Sequence, residues 1–496
     1  MNHPSKETLH HSAEVLLSEL QEKELTIKER NQIPLQQMAT QDPALRTQNM
    51  NEVALGYSEA QVRVEAMRCL QCKTKPCIKG CPVGIDIPAF ILQAEQGNYA
   101  KAVSIIKESS LLPSICGRVC PQEMQCQMYC TVGKSKKDVE QSVSIGRIER
   151  FVADYTREHG LDEIPAVGKD SGKSVAIVGS GPASLSAAAD LRREGHRVVI
   201  FEALHKAGGV LVYGIPEFRL PREIVQHELD ILLKMGVELR MNYLVGKTRT
   251  VDELFDKDGF DAIFIGSGAG LPRFLDIEGE NSIGVFSANE YLTRSNLMKA
   301  YAKENALTPM YRSKRVAVFG AGNVAMDAAR TAKRLGSEVV SVIYRRTEVE
   351  MPARREEIAH AKEEGIEFLY LHAPKRIIPG EDGRVKEVEV IECKLGPPDE
   401  DGRRRSMMIE GSESIRSYDT VIVAIGNDSN PLIKATTEGI QTSHKGTFIV
   451  DPSTCATSLE GVWAGGDIVL GAATVILAMG QGRKAAKAMN EYLAEL

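Results

Sequence analysis

The chain has 496 residues, which is too long for one hydrophobic core and predicts roughly three or four domains. Hydrophobic residues make up 43% and charged residues 26%, as in ordinary globular proteins, and the formal charge of -6 excludes the basic character typical of nucleic-acid binding. The N-terminal residues lack the apolar segment of an export signal and no apolar stretch is long enough to span a bilayer, so we expect a cytoplasmic protein.

The first part of the chain reads as a polar arm followed by a helical region. Residues 1–55 are rich in Glu, Gln and Asn and carry one helical pattern, so we predict an N-terminal arm with a peripheral helix. Residues 56–165 contain several stretches with apolar side chains three and four positions apart. This periodicity predicts a helical domain.

Eight of the ten cysteines lie in the helical region, in runs spaced C-x2-C-x4-C-x3-C-P and C-x3-C-P-x4-C-x3-C. In a reducing compartment such a concentration binds metal more often than it forms disulfides. Closely spaced thiolates followed by Cys-Pro are typical of paired iron–sulfur clusters, in which the last cysteine of a run often binds the other cluster. Two zinc sites with four cysteines each are the alternative. The candidate ligands are Cys69, Cys72, Cys77, Cys81, Cys116, Cys120, Cys126 and Cys130.

After residue 170 the sequence predicts two nucleotide-binding units of the Rossmann type and therefore an α/β fold. A strand, a glycine turn and a helix are indicated at SVAIVGSGPASL and again at KRVAVFGAGNVAMD. In such units the first glycine makes the turn and the second lets the backbone approach a pyrophosphate. We assign these roles to Gly179 and Gly181 in the first unit and to Gly320 and Gly322 in the second.

The end of the second strand separates the two predicted ligands. Glu202 lies there in the first unit, where a carboxylate accepts hydrogen bonds from both ribose hydroxyls of FAD. Arg345 and Arg346 lie there in the second unit and would meet the 2′-phosphate of NADP(H). Two solvated arginines at a strand end are the alternative. The third motif position also differs, being Ser184 in the first unit and Ala325 in the second.

The C-terminal stretch GVWAGGDIVLGAATVILAMG predicts a strand, a glycine turn with Asp467 and an amphipathic helix. The second unit already has its closing strand at residues 418–426, so we expect this stretch to return to the first unit. The NADP(H) domain would then be inserted into the FAD domain. Asp467 would lie near the flavin, with a turn-capping Asp as the alternative. The predicted boundaries are 170–290 with 450–496 for FAD and 291–449 for NADP(H).

The presence of a flavin site and a nicotinamide site in one chain also helps to decide which metal centre the cysteines bind. Flavin accepts a hydride and releases single electrons, which iron–sulfur clusters carry onward, whereas zinc has no redox chemistry. The combination therefore favours two [4Fe–4S] clusters over zinc.

With these motifs in place, the chain resembles the NADPH-dependent glutamate synthase small (beta) subunit family from about Arg30 to Leu496. That family includes the flavoprotein subunit of electron-bifurcating ferredoxin:NADP transhydrogenase and the N-terminal part of dihydropyrimidine dehydrogenase. The resemblance implies an oxidoreductase that passes electrons from NADPH through FAD and two [4Fe–4S] clusters to a partner. Further matching stretches are EAMRCLQCKTKPCIKGCPVGIDIPAF, ICGRVCPQEMQCQMYC, SIGRIERF, GGVLVYGIPEFRLP and GVWAGGD.

Together with the motifs above, the resemblance implies which residues bind each cofactor. It gives the second cluster a carboxylate ligand, Glu149, which would otherwise read as a solvated helix carboxylate, and it leaves Cys116 as a structural thiol. No acid or base is predicted, because hydride transfer between two cofactors needs orientation above all. The implied residues are Cys69, Cys72, Cys77 and Cys130 for the first cluster; Cys81, Cys120, Cys126 and Glu149 for the second; Gly179, Ser180, Gly181, Ala183, Glu202, Gly209, Arg219, Asp467 and Thr474 for FAD; and Gly320, Gly322, Asn323, Asp327, Arg345 and Arg346 for NADP(H).

The resemblance also implies a partner. We expect a hetero-oligomer with a large amidotransferase-type glutamate synthase subunit, which would hydrolyse glutamine because this chain has no cysteine near its N-terminus for that task. The alternative is the large subunit of a bifurcating NADH-dependent ferredoxin:NADP oxidoreductase, with a small flavoprotein or ferredoxin partner. A nucleotide-binding scaffold with structural clusters is the alternative outside enzymology. Neither nucleic acid nor a membrane span is expected.

Overall fold

A computed structural model describes residues 4–302, 304–398 and 404–496 of the chain. The first third of the chain is helical, as the periodicity predicts. Its helices are α1 (Lys6–Leu20), α2 (Ile27–Gln32), α3 (Pro43–Arg46), α4 (Glu59–Met67), α5 (Pro76–Lys79), α6 (Ile87–Glu95), α7 (Tyr99–Lys107), α8 (Pro113–Val119), α9 (Thr131–Lys136) and α10 (Ile145–Glu158), with 3-10 helices η1 (Gln122–Met124), η2 (Gln127–Tyr129) and η3 (Val139–Gln141).

The helical domain has its own core. Ser58 begins α4 with a capping box, and Asp86 begins α6 by accepting a hydrogen bond from the Ala89 backbone N–H. Apolar side chains of α4, α6, α7 and α10 then pack together out of contact with water. This packing fixes the loops between the helices, and those loops carry most of the cysteines.

The first nucleotide-binding unit contains a parallel sheet with the strand order β16-β4-β1-β2-β3. The C-terminal strand β16 pairs with β4, which confirms that the end of the chain returns to the first unit. The strands are β1 (Ser174–Val178), β2 (Arg197–Phe201), β3 (Glu238–Arg240), β4 (Ala262–Ile265) and β16 (Val462–Ala464), and the helices are α11 (Pro182–Arg193), α12 (Val210–Tyr213), α13 (Arg222–Lys234), α14 (Val251–Asp256), α18 (Leu432–Ala435), α19 (Asp467–Leu470) and α20 (Val475–Glu495).

The second unit repeats this plan with the strand order β6-β14-β7-β8-β9, again all parallel. The predicted architecture, a helical domain followed by one nucleotide-binding unit into which a second is inserted, is confirmed. The strands are β6 (Val285–Ser287), β7 (Arg315–Phe319), β8 (Val339–Tyr344), β9 (Glu367–Tyr370) and β14 (Thr420–Val423), and the helices are α15 (Ala288–Asn296), α16 (Asn323–Arg334), η4 (Glu348–Glu350) and α17 (Arg355–Glu363).

The chain crosses between the two units at a short antiparallel pair, β5 (Leu271–Pro272) with β15 (Asn427–Asp428). Strand β6 lies in the second sheet although it precedes the expected boundary at residue 290. Between β9 and β14 the second unit also carries an antiparallel sheet, in which β11 pairs with β10, β12 and β13. These strands are β10 (His372–Pro379), β11 (Val385–Pro398), β12 (Arg404–Met408) and β13 (Ser414–Ser417).

The N-terminal arm contacts both the helical domain and the second unit. Helix α1 packs on α4 through leucines that cover Val64 and Met67. Further along, the fully buried Arg46 donates from Nε to Glu364 Oε1 at 2.8 Å, beyond the end of α17. The arm therefore bridges two domains. Within the described residues we find no helix with the length and apolar character of a membrane span.

Candidate functional site

Four cysteines line one small cavity in the helical domain. Cys69 and Cys72 follow α4, Cys77 lies in α5, and Cys130 directly precedes α9. The remaining walls are mostly apolar, and the Cys72 thiol donates a hydrogen bond to Thr131 Oγ1 at 3.2 Å. Burial raises the pKa of Cys69 and Cys77 to about 12, and the neighbouring thiols contribute to the rise. Four sulfur donors in an apolar cavity suit a [4Fe–4S] cluster.

A second group brings Cys81, Cys120 and Cys126 together with Glu149 of α10. Burial raises the pKa of Cys81 and Cys126, and the Glu149 carboxylate close to both adds to it. Glu149 is itself buried, its Oε1 has no hydrogen-bond partner among the described residues, and burial raises its pKa to about 8. An unpartnered carboxylate in the interior is costly unless a positive group binds it. Three thiols and this carboxylate therefore suit a second cluster.

Cys116 of α8 lies on the side of the second group towards α20. A hydrogen bond with Cys116, and then burial, raises the pKa of Cys120. The Cys116 thiol also donates to Met479 Sδ in α20 at 3.7 Å. Over the described residues, no group of three or more Cys, His, Asp or Glu side chains is arranged to hold a single metal ion.

The first glycine turn joins β1 to α11 and leaves no room for side chains. Gly179 has a φ of +92°, and a Cβ added to it would lie 2.7 Å from the carbonyl oxygen of Gly266. A Cβ on Gly209, whose φ is +55°, would lie 2.9 Å from Gly181 Cα. Glycines thus bring two chain segments into backbone contact at the N-terminus of α11, where the pyrophosphate binds in this fold.

Glu202 is buried directly after β2, beside this turn. Its Oε2 accepts a hydrogen bond from the Ser180 backbone N–H at 3.0 Å, and its Oε1 accepts one from the Leu204 N–H at 2.8 Å. The Ser180 hydroxyl donates to the same carboxylate and accepts from the Gly208 N–H at 2.9 Å. The carboxylate is therefore held in one position at the place predicted for ribose recognition.

Two further residues of the first unit approach this site. Burial raises the pKa of Tyr213 to about 12, and the Asp467 and Glu202 carboxylates near it contribute. Burial also raises the pKa of Asp467 to about 6, although the Ala473 N–H donates to it at 3.2 Å. Thr474 caps the N-terminus of α20, the helix that follows. Residues far apart in the sequence thus meet beside the glycine turn.

The second glycine turn, between β7 and α16, has the same geometry. Gly320 has a φ of +128°, and a Cβ added there would lie 2.2 Å from the Ala424 carbonyl oxygen. Gly322 is the N-cap of α16. The Asn323 side chain accepts a hydrogen bond from the Arg354 backbone N–H at 2.9 Å, so the segment before α17 holds it.

Arg345 and Arg346 directly follow β8, at the edge of the sheet where the glycine turn lies. Arg345 is exposed and Arg346 is half-buried. Neither has an ion-pair partner within the described residues, and Arg346 Nε is buried without a hydrogen bond. Two unpaired guanidinium groups at this edge suit an anionic group such as a 2′-phosphate.

Two residues that the sequence assigned to different cofactors form a pair. Arg219 Nη1 lies 2.8 Å from both carboxylate oxygens of Asp327 in α16, and Arg219 Nε lies 3.1 Å from Glu357 in α17. All three side chains are buried. The structure thus places the Arg219 guanidinium, predicted for FAD, against the second unit.

The sequence did not predict a polar cavity between the helical domain, the arm and the second unit. Arg354 spans one side of it, donating to Gln122 Oε1 at 3.0 Å and to the Arg118 carbonyl oxygen at 2.8 Å. Arg118 in turn pairs with Glu52 of the arm at 2.8 Å. These partners are more than sixty residues apart, so no local sequence pattern indicates the cavity.

Comparisons with known proteins agree with this division of the chain. The family model "Dihydropyrimidine dehydrogenase domain II, 4Fe-4S cluster" matches residues 46–161, and "Pyridine nucleotide-disulphide oxidoreductase" matches residues 173–488. Among solved structures, Mycobacterium tuberculosis FprA in complex with NADPH superposes with a TM-score of 0.55 at 18% identity, covering 65% of this chain and 85% of FprA. That likeness is one of fold.

Two curated relatives match most of this chain. The small chain of glutamate synthase [NADPH] from Escherichia coli (strain K12) is 35% identical over 448 residues, which cover 89% of this chain and 93% of the relative. The beta subunit of the NADP(+)-dependent formate dehydrogenase from Moorella thermoacetica is 38% identical over 443 residues, 85% of this chain. The matched part spans 60% of the length of that subunit.

Proposed function

Since the chain belongs to the NADPH-dependent glutamate synthase small-subunit family, we propose that it delivers electrons from NADPH to a partner protein, most specifically to a glutamate synthase large subunit. The chain is an NADPH-dependent iron–sulfur flavoprotein oxidoreductase that binds FAD, NADP(H) and 4Fe–4S clusters, and small-chain homologues work with a partner subunit. Membership of a family of oxidoreductases favours a redox role for the clusters over a purely structural one. The thiol-rich sites favour a reducing compartment, so we further propose the cytoplasm.

The observation that carries the proposal is the position of α20. This helix packs closely on α11 of the first unit, where a Cβ added to Gly482 would lie 2.1 Å from the Ala183 carbonyl oxygen, beside the glycine turn proposed for FAD. On another side it lies beside the second cysteine group: Met479 Sδ is 3.7 Å from the thiol of Cys116, and a Cβ added to Gly480 would lie 3.5 Å from the carbonyl oxygen of Pro82, next to Cys81. One helix therefore lies beside both proposed redox sites, and electrons leaving the flavin would meet the second group first.

We propose the following ligands for the clusters. The first is bound by the four cysteines that line one cavity, and the second by three cysteines with Glu149, because that carboxylate is buried beside them and its Oε1 has no hydrogen-bond partner among the described residues. Cys116 remains a thiol next to a ligand. When bound, FAD accepts a hydride from NADPH and releases single electrons, which the clusters carry.

The residues of the two nucleotide units then have separate tasks. Glu202 and Asp467 hold polar groups of FAD beside the first glycine turn, since Ser180 and Leu204 fix the Glu202 carboxylate in place. Arg345 and Arg346 select NADPH over NADH through the 2′-phosphate. No side chain needs to move a proton, because the chain's part in hydride transfer is to orient two cofactors.

The partner enzyme differs between relatives of this chain, so a second function is also proposed. A relative of similar identity is a subunit of a formate dehydrogenase, so related chains serve different partner enzymes. The alternative is that this chain is the large subunit of a bifurcating NADH-dependent ferredoxin:NADP oxidoreductase. Purification of the complex from its native cell would distinguish the two, because a very large amidotransferase-type subunit supports the first and a small flavoprotein subunit supports the second.

The biochemical test uses the full chain purified without oxygen. We expect a brown protein with FAD and about eight iron atoms, as two [4Fe–4S] clusters require. NADPH should bleach the flavin and produce paramagnetic resonance signals of reduced clusters, with NADH far less effective. Colourless protein containing zinc, or a flavin that is reduced without the clusters, would refute the proposal.

A pair of variants tests the ligand assignment. Glu149→Ala should lose the signal of one cluster and about half of the iron, while Cys116→Ser keeps both, because only the first removes a proposed ligand. The reverse result would exchange the roles of the two residues.

A further inference from the structure

We propose that the surface over the first cysteine group docks an acidic one-electron carrier protein. The inference rests on the proposed function, because it names the partner chemistry of the same electron path. We call this area the lysine surface, and it consists of Lys73, Lys79, Lys134, Lys136 and Lys137 around Met124, Met128 and Tyr129.

The lysine surface and the first cysteine group are built from the same short segments. Helix α5 carries both Cys77 and Lys79, and α9 begins directly after Cys130 and carries Lys134. Both helices pack against η2, and a Cβ added to Gly80 would lie only 2.5 Å from the Tyr129 ring. The lysines are therefore fixed around the sulfur donors by short, rigid connections.

The charge of this surface is opposite to that of the whole chain. The chain carries a formal charge of -6, yet the stretch 70–86 contains three lysines and one aspartate, and the stretch 124–138 again contains three lysines and one aspartate. Only Lys75 is neutralised, by Asp86 at 2.6 Å. Within the described residues, the five lysines of the surface have no ion-pair partner. Such a concentration of one charge steers an oppositely charged partner.

Apolar side chains lie between the lysines. Met124, Met128 and Tyr129 are 58%, 47% and 39% exposed, and Lys134 Nζ lies 5.3 Å from the centre of the Tyr129 ring. An apolar, methionine-rich centre with a polar rim is typical of protein–protein contacts, and flexible methionines adapt to different partners. The combination indicates a protein partner.

The first cysteine group also comes close to solvent here. Cys72 is only half-buried, and its hydrogen-bond acceptor, the Thr131 hydroxyl, belongs to an exposed residue at the start of α9. An acceptor bound to the lysine surface would therefore be near the first cluster, whereas Cys120, Cys126 and Glu149 of the second group are buried. Each NADPH that becomes NADP⁺ and H⁺ releases two electrons, which would reduce two one-electron carriers in succession.

The test measures reduction of two probe proteins by NADPH with the reconstituted holoenzyme. Flavodoxin is an acidic one-electron carrier, cytochrome c a basic one, and menadione a small uncharged acceptor that normalises each rate. We expect kcat/KM for flavodoxin to fall steeply between low and physiological salt, as for electrostatically steered encounters. The triple charge reversal Lys79→Glu, Lys134→Glu and Lys137→Glu should lower kcat/KM for flavodoxin roughly tenfold or more. The same variant should raise kcat/KM for cytochrome c.

The matched control is Lys169→Glu, Lys445→Glu and Lys487→Glu, which changes the charge equally at exposed sites away from the cysteines. It should leave both normalised rates within about twofold of the unmodified protein. Equal effects of the two triple variants, or a flavodoxin rate that is independent of salt, would overturn the docking surface. Failure of menadione reduction in the unmodified protein would instead refute the proposed function.

Discussion

The two nucleotide-binding units share a backbone plan and differ in the side chains that recognise the ligand. In both, the first glycine of the turn has a positive φ, and an added Cβ would collide with a carbonyl oxygen of the neighbouring strand end, at Gly266 in one and Ala424 in the other. The turn thus depends on backbone geometry. It provides a pyrophosphate site in both units and cannot by itself distinguish FAD from NADP(H).

We propose that the distinction between FAD and NADP(H) lies at the end of the second strand. In the first unit Glu202 is buried and held by Ser180 and Leu204, whereas in the second unit Arg345 and Arg346 have no ion-pair partner in the part of the chain that the structure describes. A carboxylate that accepts from ribose hydroxyls must be fixed in the protein interior. Guanidinium groups that bind a charged phosphate must instead stay accessible to the ligand and free of competing carboxylates. The comparison indicates that two units with one backbone plan can bind different nucleotides because a few side chains differ at the end of the second strand.

Changing the shared backbone should have the largest effect. Gly320→Ala forces a Cβ to within 2.2 Å of the Ala424 carbonyl oxygen, so the turn must shift away from the pyrophosphate site. We expect NADPH affinity to fall by about a hundredfold or more, equivalent to about 3 kcal/mol, with FAD content unchanged. Titration calorimetry measures the NADPH affinity, and flavin absorbance measures the FAD content.

The control for that variant is Gly336→Ala. Gly336 also has a positive φ, of +97°, but no atom lies within 4 Å of its added Cβ. It should lower the free energy of unfolding by about 1–2 kcal/mol and leave NADPH affinity unchanged. If both variants weakened NADPH equally, general strain rather than close approach would be responsible.

The unpaired arginines give the next largest effect. Arg345→Ala and Arg346→Ala should each weaken NADPH about tenfold to a hundredfold, because each removes a charge-assisted contact worth about 1.5–3 kcal/mol. NADH affinity should barely change. Arg312→Ala, before the opposite end of β7, is the matched control and should change neither. An equal loss for both nucleotides would contradict the assignment.

A conservative substitution of the buried Glu202 should have a smaller effect, on the affinity for FAD. Glu202→Gln keeps the shape and one acceptor, so FAD should bind about fivefold more weakly, equivalent to about 1 kcal/mol. Flavin release on dilution, followed by fluorescence, measures this. Unchanged FAD binding with a large loss of thermal stability would show that Glu202 only supports the turn.

The smallest effect concerns the third position of the motif. Ser184 is fully buried, and its hydroxyl has no hydrogen-bond partner among the described residues, while the second unit has Ala325 there. Ser184→Ala should therefore raise the free energy of unfolding, by no more than about 1 kcal/mol, because it removes an unsatisfied polar group. Chemical denaturation measures it, and a destabilised variant would reveal a role for the hydroxyl.

Arg219 and Glu149 show where reading the sequence reached its limit. The contact of Arg219 with FAD stays a prediction, and the structure adds a pair that the sequence did not indicate, between its guanidinium and Asp327, 108 residues away. Glu149 looks like an ordinary helix carboxylate until the fold buries it beside three cysteines. In both cases the partner lies on another element, and no local pattern encodes it.

The sequence by itself determined the chemistry and the architecture. Cysteine spacing, two strand–glycine–helix repeats and the residues that end their second strands are local features, because each depends on neighbours within about twenty residues. Only the tertiary structure decided which cysteines share a cavity, that α20 lies against both Ala183 and Cys116, and that lysines lie on the short segments that carry the first cysteine group. Those arrangements depend on long-range packing, which buries some charges and exposes others irrespective of their order in the chain.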